Sequence, residues 1–123
     1  MLEAFRHFVH AAGYSMAGLR YLLKGEIAAR IEGTIILLAF VWFALLGRSL
    51  VDFLGLAVIA CVLMSVEALN TAIEDIVDKM SPEQSDFARG AKDLGSTAVF
   101  FMLTAGELYI AANTADAFGL IAY

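Results

Sequence analysis

An all-α fold embedded in a lipid bilayer is what this sequence specifies. Of its 123 residues, 61% are hydrophobic, against about 45–50% in an ordinary soluble domain, and the mean hydropathy is +0.79. So short a chain has too much surface for its volume to keep that many aliphatic side chains from water by itself. The apolar residues gather into three long runs, and the strongly polar ones fall mostly at the ends of those runs. The chain therefore reads as a single domain over residues 1–123, with an amphipathic surface helix followed by three transmembrane helices.

Residues 1–24 place Leu2, Phe5, Val9, Ala12, Met16, Leu19 and Leu23 at alternating steps of three and four, a helical apolar stripe. Glu3, Arg6, His7, His10, Arg20 and Lys24 lie mostly off it, as in a helix lying along a membrane interface. The segment does not read as a secretory signal, because it lacks an uninterrupted apolar region and a small-residue cleavage site. Gly13 costs about 1 kcal/mol relative to alanine in a helix, so a break or bend is expected near Gly13 and Tyr14. Residues 27–47 form the first span, with Arg30 and Glu32 in its opening turns and no polar side chain over residues 35–46. A second helix covers about 50–79, with Asp52 near its start, and a third about 90–118, with Glu107 deep inside it. Their uncharged stretches fall short of the roughly 18 residues that would identify each span alone, so the assignment rests on three of them with charges near the ends. Ser81, Pro82 and Glu83 read as a helix start, with Ser81 as the cap.

Charge sets the orientation and excludes one class of partner. Arg6, Arg20, Lys24 and Arg30 precede the first span and Lys79, Arg89 and Lys92 separate the second from the third, whereas Arg48 alone separates the first from the second. That bias puts the N-terminus and the 79–92 connection in the cytoplasm and the C-terminus outside. Eight Lys and Arg against thirteen Asp and Glu give a net charge of −5, the wrong field for nucleic acid but one that suits a bound metal. The single cysteine, Cys61, excludes an intrachain disulfide and a cysteine zinc site; it reads as a small packing residue.

The informative stretch is EALNTAIEDIVD at 67–78. At about 100° per residue, Glu67, Asn70, Glu74 and Asp78 share an arc of roughly 80°. Three carboxylates on one face repel in a poorly hydrated setting unless some are protonated or a cation compensates. A solvated helix end with acidic decoration is the bland alternative, and it fits Asp75 and Asp78 better than Glu67. Arg89, Lys92 and Asp93 open the third span at the same membrane face, where Glu26, Arg30 and Glu32 open the first. Carboxylates for a hard cation, a lysine and glycines suit a nucleotide polyphosphate with magnesium; lipid-headgroup anchoring is the alternative for Arg89 and Lys92. The signatures of soluble phosphoryl-transfer enzymes, GxxxxGK[ST], HRD and DFG, are missing.

These residues resemble the small integral-membrane diacylglycerol kinases of bacteria. The resemblance spans nearly the whole chain and is carried by AAGYSMAGLR at 11–20, EIAARIEG at 26–33, VEALNTAIE at 66–74 with Val77 and Asp78, and AKDLGSTAV at 91–99. It implies a homotrimer in the bacterial inner membrane, with active sites shared between neighbouring chains, that transfers the γ-phosphoryl of MgATP to the primary hydroxyl of diacylglycerol. By matched position, Glu67 resembles the general base and Asn70 a residue orienting the catalytic site. Glu26 and Glu74 resemble the ligands of magnesium. Lys92 matches the phosphate-contacting lysine, and Tyr14, Glu26, Glu74, Glu83 and Asp93 match positions at ATP. Ser96 resembles a position near the lipid hydroxyl, and Arg30, Glu32 and Gly33 match positions of less sharply assigned role.

The chain departs from the pattern in three places. His7 stands beside Arg6 where many relatives have a phosphate-contacting arginine, Ser85 stands where histidine is frequent, and Glu107 has no counterpart. A polyprenol-phosphorylating branch of the family shares the central core, although KDLGS at 92–96 is more like the diacylglycerol branch. A non-enzymatic transporter or channel, or a structural assembly subunit, is the alternative of another class.

Overall fold

A computed structural model of the protein, describing residues 1–121, has four helices in sequence: α1 (Leu2–Gly25), α2 (Ile27–Leu45), α3 (Leu50–Met80) and α4 (Asp86–Ala117). The last two residues of the expected domain lie outside the described ones. Helices α2, α3 and α4 are long and apolar enough to cross a membrane. They alternate in direction, so one end of the bundle holds the α1–α2 joint and the α3–α4 turn, hereafter the polar end. The α2–α3 turn marks the far end. At about 1.5 Å per residue, the 31 residues of α3 extend about 46 Å, well beyond a hydrocarbon core of about 30 Å. The surplus turns of α3 carry Glu74, Asp75 and Asp78.

The helix boundaries have local causes. Glu26 alone separates α1 from α2, in an extended conformation (φ −105°, ψ 121°) that no helix can continue through. Gly47 adopts φ +65°, the left-handed region that glycine enters without a Cβ penalty, and the chain reverses there. Ser49 then starts α3 through a reciprocal capping box: its hydroxyl accepts the Asp52 amide, and the Asp52 carboxylate accepts the Ser49 amide.

Two expectations about boundaries are corrected. No break occurs at Gly13; α1 runs unbroken through it, since one glycine at about 1 kcal/mol does not stop a helix of 24 residues. Ser81 does not start α4. It ends α3, donating its amide to the Val77 carbonyl, and the chain turns through Gln84 at φ +53°. Ser85 is the cap, its hydroxyl accepting the Ala88 amide.

Packing is densest between α3 and α4, and two glycines allow it. A Cβ on Gly55 would collide with the Tyr109 hydroxyl, and one on Gly95 with the Asn70 amide oxygen. The buried apolar cluster of Ala39, Phe43 and Leu56 sits toward the far end, with Phe40, Phe53, Tyr109 and Ile110 against it. The Phe43 ring lies 6.0 Å from both Phe53, edge-on, and Tyr109, separations at which aromatic pairs attract. Polar ties close the same end. Arg48 holds Asp116 at 2.6 Å and Asp52 at 3.2 Å. The Tyr109 hydroxyl donates to the Asp52 carbonyl and the Trp42 indole to Thr114. Arg48 is held more firmly protonated than usual, chiefly by its bond to Asp116. Elsewhere apolar side chains such as Leu37, Leu38, Phe100 and Phe101 stay exposed, as they would against lipid or another chain. Cys61 is exposed on the single chain too.

Candidate active site

Glu67 is only 3% exposed and Glu32 only 5%, although a carboxylate away from water is costly unless neutralised or partnered. Glu67 points inward from α3 together with the buried Thr71, and Glu32 from α2. The two carboxylates lie within electrostatic range of each other, and Glu26 and Glu74 lie within range of Glu67. One turn beyond Glu67, the Asn70 side-chain amide donates to Glu74 Oε1 at 3.2 Å. The expected helix face is therefore present: Glu67, Asn70 and Glu74 form one continuous polar strip. Two buried oxygens here, Asn70 Oδ1 of the strip and Glu32 Oε2 of α2, have no hydrogen-bond partner among the described residues.

Lys92 enters from α4. Its Nζ donates to Asp78 Oδ1 at 2.7 Å, at the wall of a cleft of about 200 Å³ that Ser81, Gln84, Ala88, Arg89 and Asp93 also line. Asp75 accepts the Tyr21 hydroxyl of α1 at 2.8 Å. That bond, with the charge of Asp75, raises the Tyr21 phenol above its usual pKa. Asp75 and Asp78 are exposed, as expected of a solvated helix end, but each also holds a partner on another helix, of which spacing along α3 alone gave no sign.

Several expected site residues do not converge within one chain. Tyr14 and His7 are exposed and share a shallow concavity of α1 with Glu3, Arg6 and His10. Glu83 is exposed in the α3–α4 turn, and Arg30, Asp93 and Ser96 are exposed on their helices. Glu107 is exposed as well, at the edge of an apolar crevice lined by Ala39, Leu56, Ile59, Gly106 and Ile110.

Among the described residues, no three His, Cys, Asp or Glu side chains form a ready-made metal cage. The donor set nevertheless suits magnesium, which keeps waters and binds through one or two carboxylates together with substrate phosphates. Glu26 and Glu74, half-buried and both acting on Glu67, provide such a pair of hard oxygen donors.

Comparison with known proteins supplies the deciding observation: the family described as prokaryotic diacylglycerol kinase matches residues 13–112. The chain belongs to that family. A diacylglycerol kinase from Sinorhizobium sp is 40% identical over 106 residues, covering 86% of this chain and 77% of the relative. The Escherichia coli K12 diacylglycerol kinase is 38% identical over 99 residues, covering 80% and 81%, and that of Helicobacter pylori 32% over 117 residues, covering 89% of each. As a member of the prokaryotic diacylglycerol kinase family the protein is a lipid kinase, and its three span-length apolar helices make it a bacterial membrane protein. The matched region takes in every expected site residue except His7.

Proposed function

We propose that the protein transfers the γ-phosphoryl group of MgATP to the primary hydroxyl of 1,2-diacylglycerol, giving phosphatidic acid and ADP. The observation that carries this reading is the enclosed Glu67, one turn from Asn70 and two turns from Glu74, which are hydrogen-bonded to each other. A diacylglycerol keeps its tails in hydrocarbon and its hydroxyl at headgroup level. A base for that hydroxyl belongs where an intramembrane helix meets the polar end, and Glu67 stands there. Glu67 accepts the hydroxyl proton as oxygen attacks phosphorus, and Asn70 orients the strip through Glu74. Lys92 takes phosphate oxygens in exchange for Asp78. Glu26 and Glu74 would hold magnesium, which would neutralise charge on the nucleotide phosphates. Tyr14, Glu83, Asp93 and His7 receive the rest of the nucleotide, while Ser96, Arg30 and Glu32 line the approach of the lipid. Positioning and electrostatics supply most of the acceleration in such a transfer.

In this reading the polar end faces the cytoplasm, where ATP is, with α1 on the membrane surface and the C-terminus outside. The active unit is a homotrimer with sites between chains. Support comes from the exposed positions of Tyr14, His7 and Ser96, away from the Lys92 cleft, and from the Glu32 and Asn70 oxygens that lack a partner among the described residues. The channel alternative requires carboxylates strung across the bilayer; between Glu67 and the Arg48 ties there is only Glu107 among the membrane-depth carboxylates.

The test is a thin-layer assay with labelled ATP on purified protein in vesicles, offered diacylglycerol and undecaprenol separately. Phosphatidic acid is the expected product, and Glu67→Gln should lower turnover by about 10²- to 10⁴-fold, the usual contribution of a base, while retaining MgATP binding. Preferential polyprenol phosphorylation would reassign the substrate. Unchanged turnover in Glu67→Gln would reject the base.

A further inference from the structure

The attachment of α1 to the rest of the molecule is slight. Every residue of α1 except Leu22 is exposed, and its covalent connection to α2 is the single extended residue Glu26. One residue with two soft dihedrals does not fix the angle between two rigid helices. Among the described residues, α1 makes one side-chain hydrogen bond to another helix, from the Tyr21 hydroxyl to Asp75 Oδ2 at 2.8 Å. At about 100° per residue, Tyr14 falls about 20° from Tyr21 around the helix and about 10 Å along it. The face that touches Asp75 is therefore the face that carries Tyr14. Asp75 adjoins Glu74, and Glu26 lies close enough to act on Tyr21.

Building on the kinase reading above, we propose that Tyr21 and Asp75 form a positioning latch, which fixes the angle of α1 about Glu26 and so holds Glu26 and Tyr14 in register with Glu74 for MgATP. Neither latch residue touches the reacting atoms. Their effect falls on nucleotide affinity and leaves the lipid hydroxyl and its base in place. A carboxylate acceptor makes the bond stronger than one between neutral groups. The oxygen, not the charge, is the essential element, so an asparagine at 75 preserves the latch.

The test compares Tyr21→Phe, Asp75→Ala, Asp75→Asn and the double variant Tyr21→Phe/Asp75→Ala in vesicles. Tyr21→Phe and Asp75→Ala should each raise KM for MgATP by about threefold to tenfold, the scale of one partly solvated hydrogen bond. In both, kcat and KM for diacylglycerol should stay within about twofold. The double variant should be no worse than either single one, and Asp75→Asn should stay near the starting enzyme. Amide hydrogen exchange provides a readout independent of catalysis, with faster exchange in α1 and unchanged exchange in α3 and α4 for Tyr21→Phe. Unchanged KM, independent effects that multiply in the double variant, or unaltered α1 exchange would overturn the latch. Failure of the starting protein to phosphorylate any lipid would instead overturn the kinase reading, and exchange would still decide whether Tyr21 holds α1.

Discussion

Replacing Gly95 with alanine should injure the site through a single contact. The added Cβ would overlap Asn70 Oδ1 and lie 3.2 Å from Asn70 Cγ, so the Asn70 amide must turn or retreat. Its bond to Glu74, at 3.2 Å, is already at the long end of the useful range and does not survive that movement. A hydrogen bond to a charged group is worth about 1.5–3 kcal/mol, or about 10- to 150-fold in rate where the transition state depends on it. We therefore expect kcat for diacylglycerol phosphorylation to fall by about one to two orders of magnitude. Overpacking of this kind costs about 1–3 kcal/mol of stability as well, so thermal midpoints of Gly95→Ala, Asn70→Ala and the double variant should be measured alongside the rates. In the double variant the methyl meets only the Asn70 Cβ position at 3.8 Å, ordinary contact, and its stability should match that of Asn70→Ala. Full turnover in Gly95→Ala, or equal destabilisation by the methyl with and without the Asn70 amide, would refute the reasoning.

The other sites give more direct outcomes. Lys92→Met should raise KM for MgATP about tenfold, since it removes a charge-assisted phosphate contact; an unchanged KM would show that Lys92 serves only Asp78. Chelating divalent ions should abolish turnover without altering helix content by circular dichroism, and magnesium should restore it. Activity surviving chelation would sink the assignment of Glu26 and Glu74. Phe43→Ala should cost about 2–3 kcal/mol of stability, mainly from the cavity left among Phe53, Tyr109 and Leu56, as read by denaturant titration in detergent. Arg48→Ala should lower the thermal midpoint by undoing the ties to Asp52 and Asp116, with turnover at lower temperature preserved because those ties are remote from Glu67.

The long helices were legible because apolar composition over a span's length leaves little freedom, and the strip of Glu67, Asn70 and Glu74 because it follows helical period along one element. Chemistry local to one helix reads well from sequence. The start of α4 did not, since Ser81 and Ser85 are both credible caps; a turn bond from the Gln84 amide to the Ser81 carbonyl and the unusual φ of Gln84 decide between them. Tyr21 with Asp75, Lys92 with Asp78 and Arg48 with Asp116 join different helices, and periodicity carries no information about which helices meet. Tyr14, Glu83 and Ser96 were named through resemblance alone, because exposed side chains on separate elements leave no periodic trace in the sequence.

The far end of the bundle is riveted, with Trp42 and the Phe43 aromatic cluster holding α2 against its neighbours and Arg48 tying the α2–α3 turn to α4. Toward the polar end, α2 has no comparable side-chain bond to α3 or α4 among the described residues, and Glu32 stays unsatisfied. The three spans are thus built like tweezers, stiff at the pivot and compliant at the tips. Any hinge motion of α2 against α3 and α4 would therefore be widest beside Glu32 and least at Phe43.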